Sequence, residues 1–522
     1  MSISLTAALT LTAAGCGGDA GRGDAGQDGG QDGADLPPGV QEVMAEPAYQ
    51  SARWGFQVAR LDGGEVAYSL ASDDLAASGS TGKLFSIGTW LDGFGLDHTF
   101  QTPVYTVGAR AGGTLTGDLV LVAAGDLVLG GREAGTGPLA YQIPPQTVAN
   151  GIAGAKPAPG DPLAGLDDLA GQVAASGITT VDGDVVIDDR LWETWDTADG
   201  PISPMVVNDN LLDVVATPAD PGQPAALRVI PETAAYRIEN RMQTTEAGGE
   251  TSMQHTPGPD RTLVVTGSIS ADADPLLSVE SVADPASYGR TLFIEALDRA
   301  GVTVSADPLA DNRTGDLPEP DGYPAGDQVA SLTSPTVAAM ATLIWKISHN
   351  VGADLAVCLL AVQEGSTDCT AGFAPIRERI DALGIDPGDV WLLDGAGGSF
   401  SSVTPAAVVS WLGWLRGRPW GEQVPDMLPI LGVDGSLALS ETDSPARGKV
   451  QAKTGTFAGV DPGTGRLLMP GESLAGYLQA GDGTEYLLAA YMINASFPDP
   501  AAGILQVGDD LAAVAAALQQ AL

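Results

Sequence analysis

Two β-rich runs near opposite ends of the chain constrain its fold more than any other feature. From Trp54 the stretch WGFQVARLDGGEVAYSL sets strand-like residues on either side of Asp62-Gly63-Gly64, and towards the other end LAGYLQA and EYLLAAYMIN flank Gly481-Asp482-Gly483. Each reads as a hairpin, because Gly and Asp supply the turn while apolar and aromatic residues fill the arms. Leu511, Val514, Leu518 and Leu522 then recur at helical spacing and predict an amphipathic terminal helix. Strands near both ends with helices between them imply one antiparallel sheet assembled from both ends of the chain. The middle is then an insertion. Residues 96–324 are mostly strand-like, as in TLTGDLVLVAAGD and VDGDVVIDD, and are too many for a loop, so they read as one or more inserted, mostly β domains. The expected body is α/β, built from residues 46–95 and 325–522.

Composition narrows the partners. Acidic residues outnumber basic ones 66 to 24, a formal net charge of −42, which opposes nucleic acid and any anionic surface reached through a basic patch. The first 15 residues, MSISLTAALTLTAAG, are apolar, too short to span a bilayer, and end in small residues just before Cys16. They resemble a bacterial lipoprotein signal, in which Cys16 would be lipidated and become the new N-terminus; the alternative is an ordinary secretory leader with an incidental cysteine. Residues 16–45, including GGDAGRGDAGQDGGQDGADLPP, hold almost nothing for a core and read as a flexible tether. Contact with a membrane is then expected only through a lipid anchor. Cys358 and Cys369 are close enough in sequence to close a small loop, and an oxidising compartment would permit a disulfide, although two buried free thiols are the alternative.

The stretch SGSTGKLFS, Ser78 to Ser86, looks at first like a phosphate cradle or a nucleophile elbow. Ala77 and Leu84 stand where a P-loop needs Gly and a hydroxyl, and Ser78 breaks the G-x-S-x-G elbow at its first position. What remains is Ser80-x-x-Lys83, two residues that share one face of a helix continued by Leu84, Ile87 and Leu91. Two further stretches carry chemistry. SPTVAAMATLIWKI is a helix, with Ser334 as its expected cap and Pro335 at its first position, and it leads into Ser348-His349-Asn350 at a junction with a second helix. VQAKTGTFAGV sets Lys453-Thr454-Gly455 on a strand, where the glycine lets another group approach the backbone closely.

In this order the three motifs resemble the signature of penicillin-binding proteins and class A β-lactamases. Attack on an amide needs a deprotonated serine, a base that is neutral when it acts, donors for the oxyanion and an acid for the departing amine. Ser80 would be the nucleophile and Lys83 the base, its pKa lowered by burial and by the nearby cation of Lys453. Ser348 would relay a proton to the leaving nitrogen, Asn350 would orient Lys83 and hold the substrate amide, and Lys453 and Thr454 would receive a terminal carboxylate. The backbone N–H groups of Ser80 and Thr456 would form the oxyanion hole. The two motif lysines are two of only five in the chain, so their presence in the motifs carries weight.

The chain as a whole is similar to the low-molecular-mass penicillin-binding proteins with D-alanyl-D-alanine carboxypeptidase and endopeptidase activity, the DacB type. Besides the motifs, PISPMVVNDNLLDVVATP and PASYGRTLFIEALDRAGVTV carry the likeness. It implies a transpeptidase/β-lactamase-like domain with its long insertion between the first and second motifs. It also implies peptidoglycan peptides ending in D-Ala-D-Ala or cross-linked as substrates, and covalent inhibition by β-lactams in the cell envelope. His349 fills a position that family leaves variable. Where the family commonly has a DGSGLSR loop, this chain has DGAGGSFSSVTP from Asp394 to Pro405, without the arginine and with Phe400 near that place, which changes how a peptide side chain would be met. A β-lactamase is the nearest enzymatic alternative, but no E-x-x-x-N follows Ser-x-Asn; a non-catalytic surface lipoprotein is the other. No H-E-x-x-H occurs, so neither a catalytic metal nor a cofactor is expected.

Overall fold

The computed structural model describes residues 36–522, except 133–137, 260, 321 and 399. Cys16, the leader and most of the expected tether therefore lie outside the described residues.

The two hairpins share one sheet. Its strands are β1 (Arg53–Arg60), β2 (Val66–Leu70), β3 (Val450–Val460), β4 (Leu467–Gln479) and β5 (Glu485–Ile493), in the spatial order β2-β1-β5-β4-β3. All neighbours run antiparallel, with Phe56 opposite Ala490 where the two ends of the chain meet. The turns use the expected residues: Gly63 and Gly64 have φ of 85° and 69°, a region open to glycine without steric cost.

Side chains alternate across a strand, so one sheet serves two cores. On one face Phe56, Val58, Leu488, Ala490 and Met492 pack against Leu511, Val514 and Leu518 of the terminal helix, Pro500–Ala521. On the other, Ala59, Leu487, Ala489 and Tyr491 join the cluster of helices α1 (Lys83–Phe94), α2 (Val337–Ile347), α3 (Asn350–Gln363) and α4 (Pro405–Arg416). The terminal helix is long and apolar enough to cross a membrane by composition, and its apolar side is spent on the sheet.

The inserted segment differs in detail from expectation. Its larger sheet contains Thr303–Val304, Thr180–Asp182, Thr114–Val122, Gln101–Ala111 and Gln328–Thr333 in that order, so hydrogen bonding carries the insert past residue 324. Helices Ala164–Ala175 and Pro285–Arg299 cover this sheet through Leu166, Leu169, Leu292 and Leu297, which the mostly-β reading did not foresee. Two three-stranded sheets, around Leu211–Thr217 and Thr262–Ser270, complete it.

The cap of α2 is also corrected. Ser334 Oγ is occupied, accepting from Phe100 N at 2.9 Å, and the helix begins after Thr336, whose side chain accepts from Ala339 N.

Cys358 on α3 and Cys369 in the turn after it are joined by a disulfide, with Cα atoms 4.1 Å apart. The bond pins the 3₁₀ turn Cys369–Gly372 to the helix that begins at Asn350. Replacing both cysteines with serine is expected to lower stability by about 2–3 kcal/mol, the loop-closure value for an 11-residue separation. A denaturant midpoint equal to that of the unreduced wild type would contradict this.

Candidate active site

All eight residues singled out around the three motifs converge on one cleft between the sheet and the helices. Ser80 lies in the 3₁₀ turn Gly79–Gly82 that runs directly into α1. Lys83, the first helical residue, is fully buried and directs its ammonium at Ser80 Oγ, 2.7 Å away. The same nitrogen donates to Asn350 Oδ1 at 2.6 Å and to the carbonyl of Ala396 at 2.9 Å. Ser348 ends α2 in a left-handed conformation, φ 59°, and its hydroxyl accepts from Lys453 Nζ at 2.9 Å. Lys453, also fully buried, donates besides to the carbonyl of Thr454 at 2.6 Å.

The glycines explain how a strand and a helical turn come so close. A Cβ on Gly455 would lie 2.7 Å from Ser80 N and 2.4 Å from Ser473 Oγ. One on Gly79 would lie 2.8 Å from Thr456 N. The absence of side chains at these positions lets the backbone amides of Ser80 and Thr456 sit side by side on the cleft floor, where two N–H groups can serve one oxyanion. The DGAGG loop closes the third wall. Gly397, φ 81°, packs its Cα against Gly82, and a Cβ there would meet the Gly79 carbonyl. The loop is shaped by two carboxylates: Asp394 accepts from Gly397 N and Gly398 N at 2.6 and 2.8 Å, and Asp354 accepts from Gly395 N at 2.7 Å.

Burial, with no carboxylate in contact, sets the charges. Lys346 shows the usual solution, an ion pair with Asp434 at 2.6 Å. Lys83 touches only a hydroxyl, an amide oxygen and a carbonyl, and desolvation lowers its pKa to about 8 although Asp354, Asp199 and Asp394 pull it back up. That displacement is on the order of 3 kcal/mol between its protonation states. Lys453 is lowered well below its usual range, first by burial and then by the charge of Lys83. Burial leads both shifts, and the mutual repulsion of two cations held close together adds to it. Beneath the strand, burial pushes Glu472 up to about 8, and its carboxyl accepts from Thr456 Oγ1 at 3.1 Å.

Some residues at the cleft were not singled out from the sequence. Ser436, in the turn Gly435–Leu437, lies 2.7 Å from Thr454 Oγ1 and adds a second hydroxyl at that end of the cleft. Asp199, from a tight turn in the insert, accepts from Asn350 Nδ2 at 3.0 Å. Asp354 follows Asn350 by four residues and so shares its helix face, a spacing that could have exposed it. Phe400, near the place where the arginine was expected, is 82% exposed.

The chain has known relatives in both sequence and fold. The model of the D-Ala-D-Ala carboxypeptidase 3 (S13) family matches residues 37–507. A D-alanyl-D-alanine carboxypeptidase of Actinomadura sp. (strain R39) is 30% identical over 467 residues, covering 84% of this chain and 80% of that one. Penicillin-sensitive carboxypeptidase A of Dictyostelium discoideum is 24% identical over 306 residues, 54% of this chain and 55% of its own. In fold, penicillin binding protein 4 of Haemophilus influenzae superposes with a TM-score of 0.67 at 16% identity, over 90% of this chain and 98% of that one. The same protein complexed with a β-lactam gives 0.64.

The close approach at Gly455 yields a direct expectation. Gly455→Ala forces β3 away from the Ser80 turn, so the variant should unfold about 1–3 kcal/mol more readily, the usual cost of overpacking. Thermal and denaturant melts check it, and an unperturbed alanine variant would mean the strand and turn are not in contact.

Proposed function

The chain belongs to the D-Ala-D-Ala carboxypeptidase 3 (S13) family, and from that premise we propose how its cleft works as a serine D-alanyl-D-alanine carboxypeptidase and endopeptidase acting on peptidoglycan peptides. The observation that supports the mechanism most is the contact of Lys83 Nζ with Ser80 Oγ at 2.7 Å in a fully buried setting. Neutral Lys83 takes the Ser80 proton as Oγ bonds to the carbonyl carbon of the penultimate D-Ala. The oxyanion is received by the Ser80 and Thr456 N–H groups. When the C–N bond breaks, Ser348 gives its proton to the departing amine and recovers one from the lysine pair. The terminal carboxylate sits against Lys453, Thr454 and Ser436, where its charge favours the protonated form of Lys453. Water then attacks the acyl-enzyme with Lys83 again as base, releasing the shortened peptide and Ser80.

A β-lactam enters the same sequence, but its amide nitrogen stays tethered after the ring opens, so the leaving group does not clear the way for water. Penicillins are accordingly covalent inhibitors. The substrate polymer places the enzyme in the cell envelope. The Cys16 lipoprotein-type leader further supports anchoring to a membrane by lipid, with the acidic Gly-rich segment as spacer.

Release of D-Ala from a peptide ending in D-Ala-D-Ala is expected for the wild type and absent in Ser80→Ala. The wild-type rate should rise with pH to a midpoint near 8, because only neutral Lys83 accepts the proton, and Lys83→Ala should lose about 10²–10⁴-fold. A rate flat across that midpoint, or activity retained in Ser80→Ala, contradicts the mechanism. For the anchor, Cys16→Ser should move the protein from the membrane to the soluble fraction; equal retention would mean the leader does not direct lipidation.

A further inference from the structure

His349, between the two catalytic candidates of the Ser-x-Asn triplet, is fully buried, and its environment fixes it from both sides. Its Nδ1 accepts from Gly352 N at 2.9 Å, capping α3. An acceptor nitrogen carries no proton, so in the neutral ring the proton resides on Nε2. That nitrogen faces the carboxylate of Asp209, with Oδ1 at 3.1 Å, although not in the alignment of a straight hydrogen bond.

Asp209 belongs to the insert and is itself built in. Its other oxygen receives Arg132 at 2.7 Å and Gln146 Nε2 at 2.9 Å, and Gln146 is oriented in turn by Ala158 N. Both Asp209 and Arg132 are buried. The buried Arg132 guanidinium holds the carboxyl of Asp209 in its ionised form despite burial. The turn that presents it is strained: Asn208, Asp209 and Asn210 have φ of 52°, 56° and 53°, three consecutive non-glycine residues in the left-handed region. Asn and Asp enter this region singly more readily than other residues, but a run of three persists only where surrounding contacts over-determine it. Those contacts are present. Asn208 Nδ2 donates to the Leu211 carbonyl and to Asp213, while Asn210 receives Val207 N and donates to the Met205 carbonyl.

We propose that Asp209 is a positioning residue for the reaction: by holding the His349 ring from the insert, it keeps Ser348 against Lys453 and Asn350 against Lys83. The insert is then a structural part of the catalytic cleft as well as an outer domain. Ser348 is left-handed and has no glycine's freedom, so it keeps that conformation only while the next residue is anchored. Once Asp209 is neutralised, the buried ring N–H no longer faces an anion, the helix cap loosens, and the hydroxyl and amide on either side drift. A misplacement of about 1 Å costs about 10²-fold in rate.

The inference rests on the proposed acyl-enzyme reaction, and the test separates the two. If penicillin G fails to label wild-type protein, the reaction itself has been misread. Given labelling, Asp209→Asn should acylate about 10²-fold more slowly. The double variant Asp209→Asn/Arg132→Gln, which removes the orphaned guanidinium, should stay slow. Recovery of wild-type acylation in the double variant would overturn the proposal, because the defect would then come from the unpaired Arg132 alone; so would unchanged acylation in Asp209→Asn. A second readout needs no variant: nitrogen-15 NMR of the three histidines should show one neutral ring as the Nε2–H tautomer. Finding neutral His349 as the Nδ1–H tautomer would refute the arrangement.

Discussion

Lys83 is completely buried, and every atom its ammonium touches is a neutral oxygen: the Ser80 hydroxyl, the Asn350 amide and the Ala396 carbonyl. In water such a group stays charged far above neutral pH. Removed from water without a paired carboxylate, it becomes a base that is available near physiological pH. The surrounding structure is what maintains that condition. Three elements distant in sequence supply the three oxygens, and the nearby carboxylates, Asp354 and Asp394, are turned to the backbone amides of the DGAGG loop, away from the lysine. Were either to bond the ammonium directly, the base would be lost to an ion pair like that of Lys346 and Asp434.

The fold makes this possible by covering both faces of one sheet. With Leu511, Val514 and Leu518 filling one side, the other is free to carry α1 and α3 and the cleft between them and β3. Glycine at positions 79, 82, 397 and 455 removes the side chains that would hold the nucleophile turn, the loop and the strand apart. The disulfide and the Asp209 contact then fix α3 and its first residues from two further directions.

How much of this was legible in the sequence follows from contact range. The sheet was readable because its turns carry Asp and Gly and its arms are apolar, and because hairpins at both ends leave few other ways to pair. The Ser80–Lys83 contact was readable because three residues span one helical turn. The grouping of Ser348, Asn350 and Lys453 came from the order of motifs, not from local physics. Ser436 and Asp199 were not readable: each reaches the cleft from a turn whose composition, Gly435-Ser436-Leu437 or Thr197-Ala198-Asp199-Gly200, looks like any surface loop. The two insert helices were missed among flanking strands, and the cap at Ser334 was misplaced because its hydroxyl is claimed by Phe100, 234 residues away.

The central claim is that burial makes Lys83 a base, and it can be measured at the atom itself. With five lysines in the chain, nitrogen-15 or carbon-13 NMR can follow each side-chain amine through a pH titration, the Lys83 signal being the one lost in Lys83→Met. The account predicts that this signal titrates near 8 in the free enzyme. A Lys83 that titrates at its ordinary 10.5 would contradict it.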